Sequence, residues 1–467
     1  MTTPRRLSGL QLAAFSAPTV PMAALGLPLV VFLPEYYSND LGLPLASVGL
    51  AFGLVRILDI GVDPVLGALM DRTNTRFGRF RPWVAAGAPV LMAAVYMLFM
   101  AQRGVGVAYL WFWLLIGYLG LSMSGLSHIA WAAKLNTSYD GRSRTYAWVQ
   151  AFSVIGLMVV LLLPAALALL AHGGSMGGVH AMGWLTIVTI PLAFALALAA
   201  VGEPAVGASS PHANWRDYLA LFRNRTVLRL LATDQALSLA PNITGALFFF
   251  YIEQVKGFTK GEAEALLFVY FIAGLVGAPL WLRLAYRLGK HRALALASVI
   301  YTVTQSLALF MPQANPYIAF PAMFLAGLPY SAAGLLVRSM LADVGDAERL
   351  ATGADRTGLF YALSSANGKI AAAASVIFPF YALSLMGFKP ATGAVNSHTA
   401  LLGLQALFAV VPGLLGLVAA GIIRGYPLTA ERHAAVREKL DLLAAERDLF
   451  TDTAGLLVRE PHDRAAE

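Results

Sequence analysis

Arg56-Ile57-Leu58-Asp59-Ile60-Gly61-Val62-Asp63-Pro64 stands inside an apolar run from about Val48 to Met70. A run of roughly 20 apolar residues is long enough to cross a bilayer as a helix. This one carries three ionisable groups where a charge at mid-membrane costs at least about 2.5–3.5 kcal/mol. In a helix, Arg56 and Asp59 fall at i,i+3 and Asp59 and Asp63 at i,i+4, so all three share one face. That face must look into a protein interior or a water-filled cavity. An internal salt bridge that fixes helix packing is one reading. It leaves the second carboxylate uncompensated, and two carboxylates one turn apart make a site for a small cation or a shared proton.

The rest of the chain fits a membrane setting. Of 467 residues, 58% are hydrophobic and 12% charged, against about 25% charged in soluble domains. Mean hydropathy is +0.68. With no Cys, disulfides and thiolate metal sites are excluded. A net charge of +8 in such a protein marks inner loops and lipid headgroups rather than nucleic acid. Arg5 and Arg6 precede no small-residue cleavage site, so the N-terminus reads as a short cytoplasmic tail.

Twelve apolar segments follow one another, at about 10–37, 46–71, 82–102, 106–133, 143–171, 180–202, 227–254, 262–287, 292–312, 316–342, 356–386 and 400–423. No long alternating strand pattern competes, and helices are then the spanning structure that fits. The basic residues alternate in side. Arg72, Arg76, Arg79 and Arg81 lie between segments 2 and 3, with Lys134, Arg142 and Arg144 between 4 and 5. Arg216, Arg223 and Arg225 precede segment 7, Arg287 and Lys290 join 8 to 9, and Arg349 joins 10 to 11. The opposite loops hold Arg103, Lys256, Lys260 and Lys389. This places both termini and the central loop in the cytoplasm. The predicted organisation is a six-helix half over 1–202, a linker over 203–226 with a short amphipathic helix from Trp215 to Phe222, a second half over 227–424 and a cytoplasmic tail over 425–467, helical from Thr429 to Leu449. A faint repeat, Gly67-Ala68-Leu69-Met70-Asp71-Arg72 against Gly277-Ala278-Pro279-Leu280-Trp281-Leu282-Arg283, suits two parallel halves with binding between them.

Asp71-Arg72-Thr73-Asn74-Thr75-Arg76-Phe77-Gly78-Arg79-Phe80-Arg81-Pro82-Trp83 resembles the loop between helices 2 and 3 of the major facilitator superfamily. In detail it resembles the glycoside–pentoside–hexuronide:cation symporters, the melibiose-carrier group. Arg56, Asp59 and Asp63-Pro64 match that family's helix 2. Tyr139-Asp140-Gly141-Arg142-Ser143-Arg144 is similar to its helix 4–5 loop, and Ala342-Asp343-Val344-Gly345-Asp346, Thr352-Gly353 and Lys369 to its helix 10–11 region. The resemblance implies an all-α membrane protein of the major facilitator fold, with 12 transmembrane helices in two halves, working by alternating access as a monomer. It implies that Asp59 and Asp63 bind the coupling cation, Na+ or H+, as metal ligands if the ion is Na+. It places Lys369 near the cation and sugar sites and Arg56 on the family's helix 2 arginine. The implied setting is a bacterial inner membrane and the implied partner a sugar or glycoside-like solute, with no further cofactor. Two positions depart from the sugar carriers: Ala23 stands where they have a helix 1 carboxylate, and Gln150 where they have a helix 5 arginine. Val62 replaces a polar residue found in some members, which shifts the expectation from Na+ towards H+.

Other polar residues in apolar segments extend the candidate site. Ser124, Ser127 and His128 are candidate cation-binding neighbours, His128 because its titration range suits proton handling. Trp131 is a candidate stacking platform for a sugar face or a packing residue. Gln150, Asp234, Ser365 and Lys369 join Arg56 as candidate substrate contacts, with Asp234 equally readable as helix–helix glue. Gln235, Asn242, Tyr330 and Asn367 add polarity in the second half. Asp71, Arg72, Arg76 and Arg79 read as an inner gate. The expected function is symport of a sugar or glycoside-like solute with a cation. A lysolipid or other amphipathic cargo on the same fold is the alternative, and a transporter-fold sensor signalling through the tail a third. No phosphate loop, metal-ligand cluster or nucleophile–His–Asp pattern supports an enzyme.

Overall fold

The computed structural model describes residues 7–135, 139–170, 176–203, 224–353 and 357–457. Twelve helices among them are long and apolar enough to cross a membrane. They are α1 (Gly9–Asp40), α2 (Leu45–Met70), α3 (Arg81–Phe99), α4 (Val107–Ala132), α5 (Arg144–Leu163) and α6 (Gly177–Ala200). The second set is α7 (Arg225–Val255), α8 (Lys260–Leu288), α9 (Lys290–Phe310), α10 (Pro316–Thr352), α11 (Ala362–Leu385) and α12 (His398–Arg424). A further helix, α13 (Ala430–Leu457), follows. It runs past the Leu449 end expected from sequence, and α10 likewise outruns its expected end at residue 342. The Trp215–Phe222 helix expected in the linker lies outside the described residues.

The packing repeats with a shift of six helices. In the first half α1 packs on α5, α2 on α4 and α3 on α6; in the second α7 packs on α11, α8 on α10 and α9 on α12. The ends of α1 and α7 repeat in detail. Each closes on a π-helical turn, Tyr36–Asp40 and Tyr251–Val255. The hydroxyl of Tyr36 donates to the Ala101 carbonyl at 2.5 Å and that of Tyr251 to the Ala308 carbonyl at 2.7 Å. A buried phenol needs such an acceptor, and both halves supply it at the same corner. The Gly67/Gly277 repeat read from sequence is not equivalent in packing. Gly67 has open space around it, whereas a Cβ on Gly277 would overlap the Leu328 carbonyl of α10. In lipid, where apolar side chains gain little by meeting, such backbone-to-backbone approach is a main source of helix association.

The halves meet where α2 packs on α11, α7 on α1 and α5 on α8. At the end of the bundle away from the chain termini they share one apolar core, with Phe32, Val48, Phe52, Phe249, Phe250 and Phe380 all buried in it. There Gly49 and Gly53 of α2 lie against Phe380 and Ile377 of α11. At the terminal end the second half keeps a separate core, built by Leu230, Trp281, Leu336 and Phe360 among others. Among the described residues the bundle is thus joined at one end and divided at the other. Two of the three lysines counted from sequence as loop charge, Lys256 and Lys260, are engaged at the joined end. Lys256 is buried, and its ammonium donates to the carbonyls of Leu309 at 2.9 Å and Met311 at 2.7 Å. Burial pulls its pKa below the ordinary lysine value.

Candidate functional site

Asp59 and Asp63 stand one turn apart on α2, facing the second half, as the i,i+4 spacing requires. Lys369 of α11 reaches both: its ammonium lies 2.6 Å from Asp59 Oδ2 and 2.5 Å from Asp63 Oδ2. From α4, the Ser122 hydroxyl lies 2.9 Å from Asp59 Oδ1 and 2.7 Å from Asp63 Oδ1. A hydroxyl has one proton, so Ser122 donates to one carboxylate at a time. The cluster is lodged between α2, α4 and α11 with two carboxylates against one bound ammonium. Arg56, one turn earlier on α2, lays its guanidinium 5.3 Å over the Tyr118 ring of α4, a cation–π contact. Pro64 follows immediately. Lacking an N–H, it leaves the Ile60 carbonyl without its helical partner.

The other residues expected at the cation site turn elsewhere. Ser124 is two residues beyond Ser122, so the helix carries it to the far side of α4. There it packs against Gly87 of α3. Ser127 donates to the carbonyls of Met123 at 2.5 Å and Ser124 at 3.2 Å. His128 is buried, stacked 4.4 Å from the Phe15 ring with Nε2 2.7 Å from the Phe15 carbonyl. Trp131 is fully buried, edge-on to Phe15, with Arg81 6.0 Å over its ring. Ser124, Ser127 and His128, expected near the cation, and Trp131, expected as a stacking platform or packing residue, thus stand away from the carboxylate pair and pack within the first half.

Asp234 stands as the helix–helix tie that was one of its two readings. It accepts from Ser364 and Asn367, both at 3.0 Å, and so ties α7 to α11. Ser365 is exposed on α11, one turn before Lys369. Neither it, Asp234 nor Arg56 is among the cavity residues described next. In the expected gate, Arg72 and Arg76 are exposed and Arg76 lies 4.7 Å over the Phe77 ring. The Asp71 side chain lies outside the described residues. The loop is held instead by Glu203, whose carboxylate accepts the N–H groups of Arg79 at 2.8 Å, Phe80 at 2.9 Å and Arg81 at 3.2 Å. An anion at the start of α3 is well placed for the free N–H groups and the dipole there.

Between the halves lies a cavity of about 560 Å3, within the range that holds a small-molecule ligand. Ala23 and Gln150, the two departures from the sugar carriers, both line it. Ser153, Asn242 and Gln305 add further hydrogen-bonding groups, and Phe248, Tyr270, Phe271 and Tyr330 add aromatic surface. Among the described lining residues there is no Asp, Glu, Lys, Arg or His. Sequence reasoning missed Ser122 because the rotational phase of α4 is not readable from three serines in one helix.

The family described as MFS/sugar transport protein matches residues 14–430. The inner membrane symporter YicJ of Escherichia coli (strain K12) is 24% identical over 424 residues, covering 88% of this chain and 90% of that protein. A glucuronide carrier protein homolog of the same organism is 24% identical over 429 residues, covering 88% and 91%. Among solved structures, the nucleoside transporter NupG superposes with a TM-score of 0.65 at 14% identity, covering 90% of this chain and 99% of that one.

Proposed function

The chain belongs to the MFS/sugar transport family and, within the major facilitator superfamily, to the glycoside–pentoside–hexuronide:cation symporters, and from that premise we propose that it couples movement of an uncharged glycoside to a cation gradient. It is an integral membrane protein of transporter type. The proposal assigns the cation site to Asp59, Asp63 and Ser122, and the substrate site to the cavity lined by Gln150, Asn242 and Gln305. The observation that carries it is the ammonium of Lys369 lying on both carboxylates. A group that already occupies a cation's place is an internal competitor for it.

In this reading an incoming Na+ or H+ takes the carboxylates and releases Lys369. The tie between α2 and α11 loosens, and solute affinity changes by the coupling factor that the solute returns to the cation. Carboxylate and hydroxyl oxygens suit Na+, and a carboxylate pair also suits a shared proton. The substrate is read as uncharged because an anion in this cavity would meet no cation among the described lining residues and would leave its charge unpaired in an apolar setting. The Gln150 and Asn242 amides offer donors and acceptors to sugar hydroxyls, and the aromatic rings offer faces to the apolar side of a pyranose. With the termini in the cytoplasm of a bacterial cell, this conformation is closed to the outside. The reading takes the protein as a monomer, with the cavity and the ion cluster both lined by residues of one chain.

Uptake into proteoliposomes under imposed Na+ or H+ gradients, with neutral glycosides, pentosides, uronides and lysolipids as solutes, tests the assignment. Accumulation of a neutral glycoside under one gradient, lost in Asp63→Asn, is expected. Equal accumulation by Asp63→Asn would refute the cation site. Preference for a uronide or a lysolipid would refute the reading of the cavity.

A further inference from the structure

Beyond the cavity, the joined end of the bundle holds a second buried ion cluster that bridges the halves. Lys260 opens α8, and its ammonium lies 2.8 Å from Glu35 Oε2 and 3.3 Å from Asp40 Oδ2, both on α1. Glu35 is 1% exposed, Lys260 12% and Asp40 11%. The other oxygen of Glu35 accepts from Asn39 Nδ2 at 2.6 Å. Asn39 continues the bridge: its Oδ1 accepts the N–H of Thr392, in the loop between α11 and α12, at 2.7 Å. Beneath the lysine are two rings. Phe32 follows the cavity-lining Val31, and Phe249 follows the cavity-lining Phe248. Their centroids are 5.0 Å apart, and the ammonium of Lys260 stands 5.8 Å over the Phe249 ring. The carboxyls of Glu253 and Glu264 are within electrostatic reach of Lys260 and Glu35.

We propose that Lys260, Glu35 and Asp40 form an ion-pair latch that holds the Phe32–Phe249 plug shut over the cavity, so that Lys260 sets how often the cavity opens at the end away from the termini. The geometry gives the device its switching character. Glu35 and Asp40 belong to one half and Lys260 to the other, so parting the halves at this end separates both bridging pairs at once, while Glu253 and Glu264 stay in the half of Lys260. The separated groups gain water, and that offsets part of the lost attraction. The latch therefore resists opening without forbidding it. Removing only the lysine leaves buried carboxylates unpaired in the closed form and favours the open one. Removing the charges of Lys260, Glu35 and Asp40 takes away the penalty of the two bridging acids together with the attraction, and leaves Glu253 and Glu264 as they are in Lys260→Met.

Because the chain has no Cys, one introduced thiol reports access to the cavity. Ser153→Cys on α5 is labelled with a membrane-impermeant maleimide added to the face opposite the tail. That face is fixed independently by protease cleavage of a tag on the tail. In the parent, labelling should be slow. Adding Lys260→Met should raise the rate about tenfold or more, given what unpaired buried carboxylates cost. Glu35→Gln should raise it by less, and Lys260→Arg should leave it near the parent. The triple Glu35→Gln/Asp40→Asn/Lys260→Met should slow it again relative to Lys260→Met. A parent-like rate in Lys260→Met overturns the proposal. If that protein fails to reach the membrane, a parent-like rate in Glu35→Gln does the same. A triple variant that labels as fast as Lys260→Met also overturns it, since a merely disrupted helix end would not recover. The readout needs no substrate or coupling ion, so it stands or falls apart from the symport reading.

Discussion

Replacing Lys369 with Met keeps an unbranched side chain of similar length and removes the charge. Two carboxylates lose an ammonium held at 2.6 and 2.5 Å. Breaking a buried ion pair by deleting one partner costs about 3–5 kcal/mol. Here the lysine side chain is 22% exposed and that of Asp63 25%, against 7% for Asp59. Water screens part of the loss, so the lower figure, about 3 kcal/mol, is the ceiling. In the parent, an incoming cation must displace the lysine; in Lys369→Met it meets the carboxylates unopposed. The cation should then bind more tightly by up to about 100-fold, the factor to which 3 kcal/mol converts. At the same time, concentrative uptake should fall, because nothing displaces the cation after delivery. The assay is thermal unfolding of the purified protein in detergent across a NaCl series and across a pH series. Ligand binding to the folded state stabilises it by RT ln(1 + [L]/Kd), so the midpoint starts to climb once the cation concentration reaches its Kd. The cation concentration at which the midpoint starts to climb in Lys369→Met should be about 10- to 100-fold lower than in the parent. An unchanged or higher value would refute the idea that Lys369 occupies the cation's place, even if transport were lost.

Ser122→Ala should weaken cation dependence by about tenfold, since a hydrogen bond to a charged group contributes about 1.5–3 kcal/mol and water reaches Asp63 to replace part of it; Ser124→Ala should leave it unchanged, and the reverse order in a cation titration of uptake would contradict the assignment of Ser122. Gly277→Ala should destabilise the protein by more than about 1 kcal/mol, seen as a lower unfolding midpoint, because its Cβ would overlap the Leu328 carbonyl; Gly67→Ala, in open space, should not. Truncation after Thr429 should leave uptake intact, and loss of uptake would revive a role for α13 in signalling or gating.

The spanning helices were legible because hydropathy is a property of each segment alone, and the lipid leaves helices as the only open option. Where the chain leaves that regime, the reading fails for the same reason. Beyond residue 342, α10 continues with Val344 buried and Asp343, Asp346 and Arg349 among its charged residues, so mean hydropathy falls while the helix does not end. The carboxylates and Lys369 were legible because a charge in a spanning segment is too costly to stand without a partner. The cost is local, but the identity of the partner is not. His128 and Trp131 read as site residues because their polarity is visible in the sequence, whereas Phe15, whose carbonyl meets His128 Nε2 and whose ring packs edge-on to Trp131, is more than 100 positions away. Lys260 went unnoticed for the opposite reason. At the start of α8 it passed as an ordinary loop charge, and only the fold brings it to Glu35 across 225 positions. The two lysines that bridge the halves, Lys369 at mid-span and Lys260 at the joined end, thus differ in visibility by depth alone. If both act as argued, depth also divides their work: the deeper one yields to a cation, and the shallower one yields to the opening of the bundle.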